Sequence, residues 1–169
     1  MRKLFLVSLM LIGLVLNKAN SEEIKSIEIN GNNRISDETI LVFSGVKLNN
    51  KINSASDLNN ILKELYNTNY FSDVEVNFTD NKLVINVIEN PIIQSVQLNG
   101  IKAKKFKKVL LDNLTLKEKT SYVENFVSQD INKIKSIMKR SGYYFVNVDL
   151  NVIDAKNSSV ILSYQIDFD

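Results

Sequence analysis

The body of the chain opens on Ile24-Lys25-Ser26-Ile27-Glu28-Ile29, a period-two pattern of apolar and polar residues that predicts a half-buried strand. Asn30-Gly31-Asn32-Asn33 breaks it. Ser36, Asp37 and Glu38 supply a cap and first-turn acids for a short helix carrying Ile40, Leu41 and Phe43, and Gly45 stops that helix as a left-handed cap. A second helix, capped by Ser56 or Asp57, places Leu58, Ile61, Leu62, Leu65 and Tyr66 on one apolar stripe, which must lie on something. Val74, Val76 and Phe78 alternate with polar residues, Asp80-Asn81 forms a hairpin turn, and residues 83–88 are apolar enough for a central strand buried on both faces.

The plan then starts again. The pattern I-x-S-[IV]-x-[IL]-N-G stands at 24–31 and at 93–100, an offset of 69. A helix with Phe106, Val109, Leu110 and Leu114 follows, then a longer one with Val127, Ile131, Ile134, Ile137 and Met138. Val146, Val148 and Leu150 mark a strand, 154–158 a turn, and Val160, Leu162, Tyr164 and Ile166 the last strand. Self-similarity at a fixed period means two copies of one unit, each ordered strand-helix-helix-strand-strand. Val74, Val76 and Phe78 match Val146, Val148 and Leu150 at an offset of 72, and Tyr70-Phe71 matches Tyr143-Tyr144. Tyr144 is expected in the core, more so than Tyr143. Asn90-Pro91 joins the copies with almost no linker; Pro91 fixes its own backbone and extends Asn90, so the interdomain hinge is expected to be semi-rigid.

The first residues belong to neither copy. Arg2 and Lys3 precede an apolar run at 4–16 and a polar stretch with small residues at Ala19 and Ser21, the outline of a secretory signal peptide over 1–21 and hence of an exported chain. The run falls short of the roughly 20 residues of a membrane span. Removing the leader changes the charge balance: Arg2, Lys3 and Lys18 go, leaving 18 basic and 19 acidic residues. A near-neutral remainder gives no reason to expect nucleic acid. The halves differ, with 6 basic and 11 acidic residues at 22–90 against 12 basic and 8 acidic at 91–169. Cys and His are both absent, which removes disulfides, thiolate metal sites and the commonest acid–base group. No cofactor and no metal is expected. The carboxylate pairs Glu22-Glu23 and Asp37-Glu38 fit a terminus and a helix start better than general acid–base work, and no enzyme activity is expected.

Three motifs in order, Ile29-Asn30-Gly31-Asn32, the "L…LY-x-x-x-YF-x-x-V-x-V" of residues 62–76 and Val87-Ile88-Glu89-Asn90-Pro91, resemble the POTRA domains of the BamA family of outer-membrane protein assembly factors. The resemblance covers about 24–169, as unit 1 at 22–90 and unit 2 at 91–169. It implies an α+β fold: two tandem POTRA-like units, each β-α-α-β-β with a three-stranded mixed sheet and two helices on one face. In the second copy the closing V-x-E is replaced by Gln165-Ile166-Asp167. Family members carry further units and a C-terminal β-barrel, so the chain is expected to be a fragment of a longer factor or a short periplasmic protein.

The resemblance further implies a periplasmic module that holds unfolded outer-membrane protein clients by β-augmentation. Accessory assembly lipoproteins or periplasmic chaperones would be its other partners, with the outer membrane reached through a barrel. A three-stranded sheet leaves edges with unpaired main-chain groups, to which an extended peptide can add. The second strand is the usual free edge, which places peptide binding at Val74, Glu75, Val76, Asn77 and Phe78, and at Val146, Asn147, Val148, Asp149, Leu150 and Asn151. Lys102, Lys104, Lys105, Lys107 and Lys108 read either as a dock for an acidic partner or lipid headgroups or as a solvated helix face. A two-partner secretion transporter, a TamA-like factor or a free scaffold would use the same units. A KH-type RNA module has a similar element order but needs a Gly-x-x-Gly loop between its helices. Gly45-Val46-Lys47-Leu48 and Leu116-Lys117-Glu118-Lys119 both lack the second glycine.

Overall fold

A computed structural model describes residues 22–168; the expected signal segment lies outside them. Unit 1 runs β1 (Glu22–Glu23), β2 (Ser26–Asn30), α1 (Asp37–Ser44), β3 (Lys51–Ile52), α2 (Ala55–Asn67), β4 (Phe71–Thr79) and β5 (Lys82–Glu89). Unit 2 runs β6 (Ile92–Asn99), α3 (Lys104–Asn113), a 3-10 turn (Glu124–Phe126), α4 (Val127–Arg140), β7 (Val146–Ala155) and β8 (Ser159–Phe168). Each unit is a three-stranded mixed sheet, ordered β2-β5-β4 and β6-β8-β7. The central strand pairs parallel with the first and antiparallel with the hairpin strand.

Local chemistry explains the elements. The Ser36 hydroxyl accepts from the Thr39 amide at 3.3 Å, and Gly45 closes α1 at φ 68°. Helix α2 starts earlier than its acids suggest. Ser54, and neither Ser56 nor Asp57, is its cap, while Asp57 one turn in accepts from the amides of Asn53 (2.8 Å) and Ser54 (3.1 Å). Asp80 and Asn81 both take positive φ, as a two-residue hairpin between twisted strands requires.

Each unit buries its own core. Ile40, Ile61 and Leu65 from the helices meet Val74, Leu83, Ile85 and Val87 from the sheet. In unit 2, Leu110, Ile134 and Met138 meet Val148, Leu162, Tyr164 and Ile166. The expectation that 83–88 is buried on both faces is corrected here: Leu83, Ile85 and Val87 are buried, but Val84 and Asn86 are only half-buried and Ile88 is exposed. Helices cover one face of the sheet, so a central strand still alternates.

Strand pairing also corrects the alignment of the copies. Asn30 pairs with Asn86 and Asn99 with Gln165, so Val87 corresponds to Ile166 and Glu89 to Phe168, not to Asp167. Val74 pairs with Val87 and Val148 with Ile166, which makes the offset of the hairpin strands 74 and not 72. Tyr144 and Phe145 lie outside the core, 68% and 75% exposed, and Tyr143 packs on Phe168 with ring centroids 5.1 Å apart. Strand β7 runs on through Ala155, shortening the predicted turn to 156–158.

The Glu89 side chain, 6% exposed, ends β5. Its Oε1 accepts from the amides of Asn33 (2.9 Å), Arg34 (2.9 Å) and Ile35 (3.0 Å), and its Oε2 meets Arg34 Nε at 3.0 Å. Burial pushes the Glu89 carboxyl up, but the three amides and the Arg34 charge outweigh it and hold it below the usual carboxylate range. At Gly31, φ 88°, an added Cβ would run into the Val87 carbonyl, and Gly100, φ 87°, stands in the same relation to Ile166.

Two outcomes follow for stability. Glu89→Ala strands three amides and Arg34, and chemical denaturation should show a loss of about 3 kcal/mol at neutral pH. Because the folded-state value is lowered, this stabilisation is fully present above the ordinary carboxylate value of 4.5 and is lost as pH falls through the folded one. The gap between parent and Glu89→Gln should therefore narrow on acidification, and a gap that holds constant would refute the clamp. Gly31→Ala and Gly100→Ala should each cost more than about 2 kcal/mol, against about 1 for Gly45→Ala, where a Cβ meets nothing within 4 Å.

Candidate functional site

Among the described residues the sheet order leaves β4 and β7 at edges, so 74–78 and 146–151 lie on strands with one unpaired side. At nine and ten residues they are longer than the opposite edges, β2 with five and β6 with eight. Val74 and Val148 are buried, Val76, Phe78, Val146 and Leu150 are half-buried, and Glu75, Asn77, Asn147, Asp149 and Asn151 face solvent. Apolar side chains thus turn under the helices while acids and amides face out. Asn86 of β5 donates to Glu75 at 3.0 Å, holding that acid across the sheet, and Asn147 donates to Asp149 at 2.9 Å along β7 itself. The Asn86 bond, helped by Asn77, holds the Glu75 carboxyl below its usual range.

One residue that the apolar stripe disguised controls the β4 edge. Tyr66 closes the stripe of α2 as if for the core, yet its hydroxyl accepts the Val74 amide at 3.1 Å and donates to Asp73 Oδ1 at 3.0 Å, which itself accepts the same Val74 amide at 3.0 Å. The Val74 N–H therefore points away from β5. Alternation along the strand turns the amides of Val76 and Phe78 to the same outer side. Ser72, where the register with β5 shifts, bulges just before this point. Only the amide-to-hydroxyl geometry identifies this role; residue spacing carries no signal for it.

The junction is braced from both sides. Asn90, 7% exposed, donates its amide to Tyr70 O (2.8 Å) and its side chain to Asn69 O (3.0 Å), while its carbonyl accepts from Arg34 Nη2 (2.7 Å). Pro91 O accepts from Tyr122 N at 2.8 Å, and Ile92 N donates to Ser158 O at 3.0 Å. Beside it a cleft of about 540 Å³ opens between the units, lined among others by Tyr66, Ser72, Asn90, Glu124, Val152 and Asp154.

The lysines lie elsewhere. Lys104, Lys105, Lys107 and Lys108 fill the first turns of α3, preceded by Lys102 and by Ala103, which offers no side-chain cap. Four are exposed and Lys107 is half-buried. Asp130, another residue that spacing did not single out, is fully buried in α4 and accepts from the amides of Thr115 (2.8 Å) and Leu116 (2.8 Å), fixing the loop before that helix. Asp37 accepts from Asn32 Nδ2 at 2.8 Å at the start of α1, and Glu22-Glu23 is an exposed strand. Among the described residues there is no group of three or more potential metal ligands, and no helix is long and apolar enough to cross a membrane.

Comparison with known proteins agrees with this architecture. The chain is 26% identical over 144 residues to the outer membrane protein assembly factor BamA of Neorickettsia risticii, covering 80% of this chain and 19% of that protein. Against the BamA of Buchnera aphidicola it is 26% identical over 161 residues, 94% of this chain and 26% of the relative. The chain thus spans about a fifth to a quarter of these relatives. The N-terminal domain of Omp85 from Thermosynechococcus elongatus superposes on 85% of the chain and 61% of that structure with a TM-score of 0.55 at 13% identity, a likeness of fold. A family model described as POTRA, surface antigen variable number repeat, matches residues 22–90 and again 91–167. Two matches that tile the two three-stranded units place the chain in the POTRA family, whose unit it carries twice.

Proposed function

We propose that the chain is a periplasmic POTRA segment acting in outer-membrane protein assembly, a scaffold and not an enzyme, which holds extended client strands by adding them to β4 and β7. The observation that carries this reading is the open β4 edge, with the outward amides of Val76 and Phe78 beyond the one that Tyr66 covers. Main-chain hydrogen bonds provide affinity that does not depend on client sequence, and the pockets between alternate side chains add preference. A factor serving many different unfolded barrel proteins needs that combination. The kinship to BamA of two bacteria supports the assembly role. Accessory lipoproteins or periplasmic chaperones are its further partners in this reading, and a C-terminal barrel is its route to the outer membrane.

Titrating the isotope-labelled chain with a synthetic peptide taken from an unfolded barrel strand should move the amides of 74–78 or 146–151 first. Movement confined to the helices would overturn the reading. Val76→Pro removes an outward donor while leaving the β4–β5 hydrogen bonds intact, and should weaken binding at β4 about tenfold with unit 1 still folded by circular dichroism. Tyr66→Phe works in the opposite direction. It removes one of the two acceptors of the Val74 amide and leaves Asp73 Oδ1 at 3.0 Å, so that amide should exchange faster with deuterium and peptide should bind β4 up to about twofold more tightly, at a stability cost of about 1 kcal/mol.

A further inference from the structure

We infer that β4 and β7 form one track: a single extended, basic segment pairs with both edges in one polarity and crosses the cleft between the units. The inference rests on the augmentation reading above and adds to it the length, direction and charge of the occupant.

Direction comes from topology. Phe71, the first residue of β4, pairs with Glu89 at the exit of unit 1, so β4 starts at the junction and runs away from it. Ala155, the last residue of β7, pairs with Ser159 beside the entry of unit 2, where Ile92 pairs with the same serine. Strand β7 therefore runs towards the junction. A segment antiparallel to β4 is antiparallel to β7 as well, and does not have to reverse between them. Had the two edges run head to head, one chain could not have served both with the same hydrogen-bond pattern.

Continuity comes from the cleft. Ser72 of β4 and Val152 and Asp154 of β7 line the same opening, and so does Tyr66, whose hydroxyl occupies the outward Val74 amide. The side of β4 that pairs with nothing thus faces the space into which β7 leads. A crossing segment would replace the Tyr66 hydroxyl and the Asp73 carboxylate on the Val74 amide with its own carbonyl. Strands of nine and ten residues with a few more in the cleft call for about 22–24 residues of extended chain.

Charge defines the occupant. Strand β4 carries Asp73 and Glu75, β7 carries Asp149 and Asp154, and neither has a base. The cleft lining holds Glu124 and Asp154 and again no Lys or Arg. An extended segment of alternating apolar and polar residues with lysines among the polar ones fits this path; one with glutamates meets like charge on both edges and in the cleft.

The test uses the whole chain and three synthetic peptides: a Val/Tyr-Lys/Thr alternation of about 24 residues and its two halves of about 12 each. By calorimetry the long peptide should bind one to one and about 100-fold more tightly than the better half, because the second pairing becomes intramolecular. Val76→Pro should weaken it about tenfold, leaving it about tenfold above the better half, and replacing its lysines by glutamates should abolish most of the binding. A spin label on its N-terminus should broaden amides near Thr79 or near Val146 but not both, and a label on its C-terminus the other set. Two copies per chain, no gain over the halves, or a label that broadens both ends would overturn the single track and leave augmentation at separate edges standing. If neither half nor the long peptide binds, the augmentation reading itself falls.

Discussion

Glu89 stands where three segments of unit 1 converge, and its carboxylate answers a difficulty that the fold creates. The chain must leave β2 by a sharp turn at Gly31, tight against the Val87 carbonyl, and then present the amides of 33–35 to the closed end of the sheet. Amides left there without water or partners would each cost on the order of 1–3 kcal/mol. One carboxylate satisfies all three, and Arg34, drawn in as counter-charge, reaches past it to the Asn90 carbonyl. The end of the central strand, the loop after the first and the link to unit 2 thereby become one hydrogen-bonded body. The attitude of the units at the cleft depends on that body, since Asn90 is fixed from Arg34, Asn69 and Tyr70 at once.

Unit 2 solves the same problem with other groups. Phe168 occupies the place of Glu89, so the glycine turn is retained while the carboxylate clamp is replaced by a run of rings, Phe106, Tyr143 and Phe168. The buried carboxylate of unit 2 is instead Asp130, which gathers the amides of Thr115 and Leu116 one loop further on. Both copies keep the backbone geometry, because a left-handed glycine against a strand carbonyl tolerates no substitute, and both change the side chains that brace it. The repeat is conserved as a path of the main chain more than as a set of contacts.

That difference explains what was legible in the residues alone. The two I-x-S-[IV]-x-[IL]-N-G strands, the α2 stripe and the Asp80-Asn81 turn announce themselves because their signals are local: a period, a cap, a positive φ. Residue matching sets β4 against β7 two residues off because the three aromatics of "GYYFV" all invite alignment with the buried Phe71, whereas all three are exposed and the pairing of Val148 with Ile166 fixes the equivalence. Tyr66 reads as core because helical spacing reports which face a side chain leaves from and not where a phenol hydroxyl ends. Glu89 was visible as the third letter of a motif, but the loop it holds lies more than fifty residues earlier, beyond the reach of any periodicity.

Open edges are a hazard as well as an opportunity, and the placement of charge reconciles the two. An unpaired strand invites the edge of another copy, which would join sheets into aggregates. Here Asp73 and Glu75 on β4 and Asp149 and Asp154 on β7 make both edges acidic, so the registers of a second copy's β4 or β7 that bring these positions opposite one another set acids against acids. Like charges facing each other across a ladder are destabilising, by a margin similar to what a favourable cross-strand pair contributes, about 0.2–1 kcal/mol each. Tyr66 adds a second restraint, occupying the Val74 amide at the junction end where β4 is nearest to β7. A neutral or basic strand avoids that repulsion, and at Val74 has to displace the Tyr66 phenol and the Asp73 carboxylate. The same few residues therefore disfavour self-association while leaving the edges open to a chain of different charge.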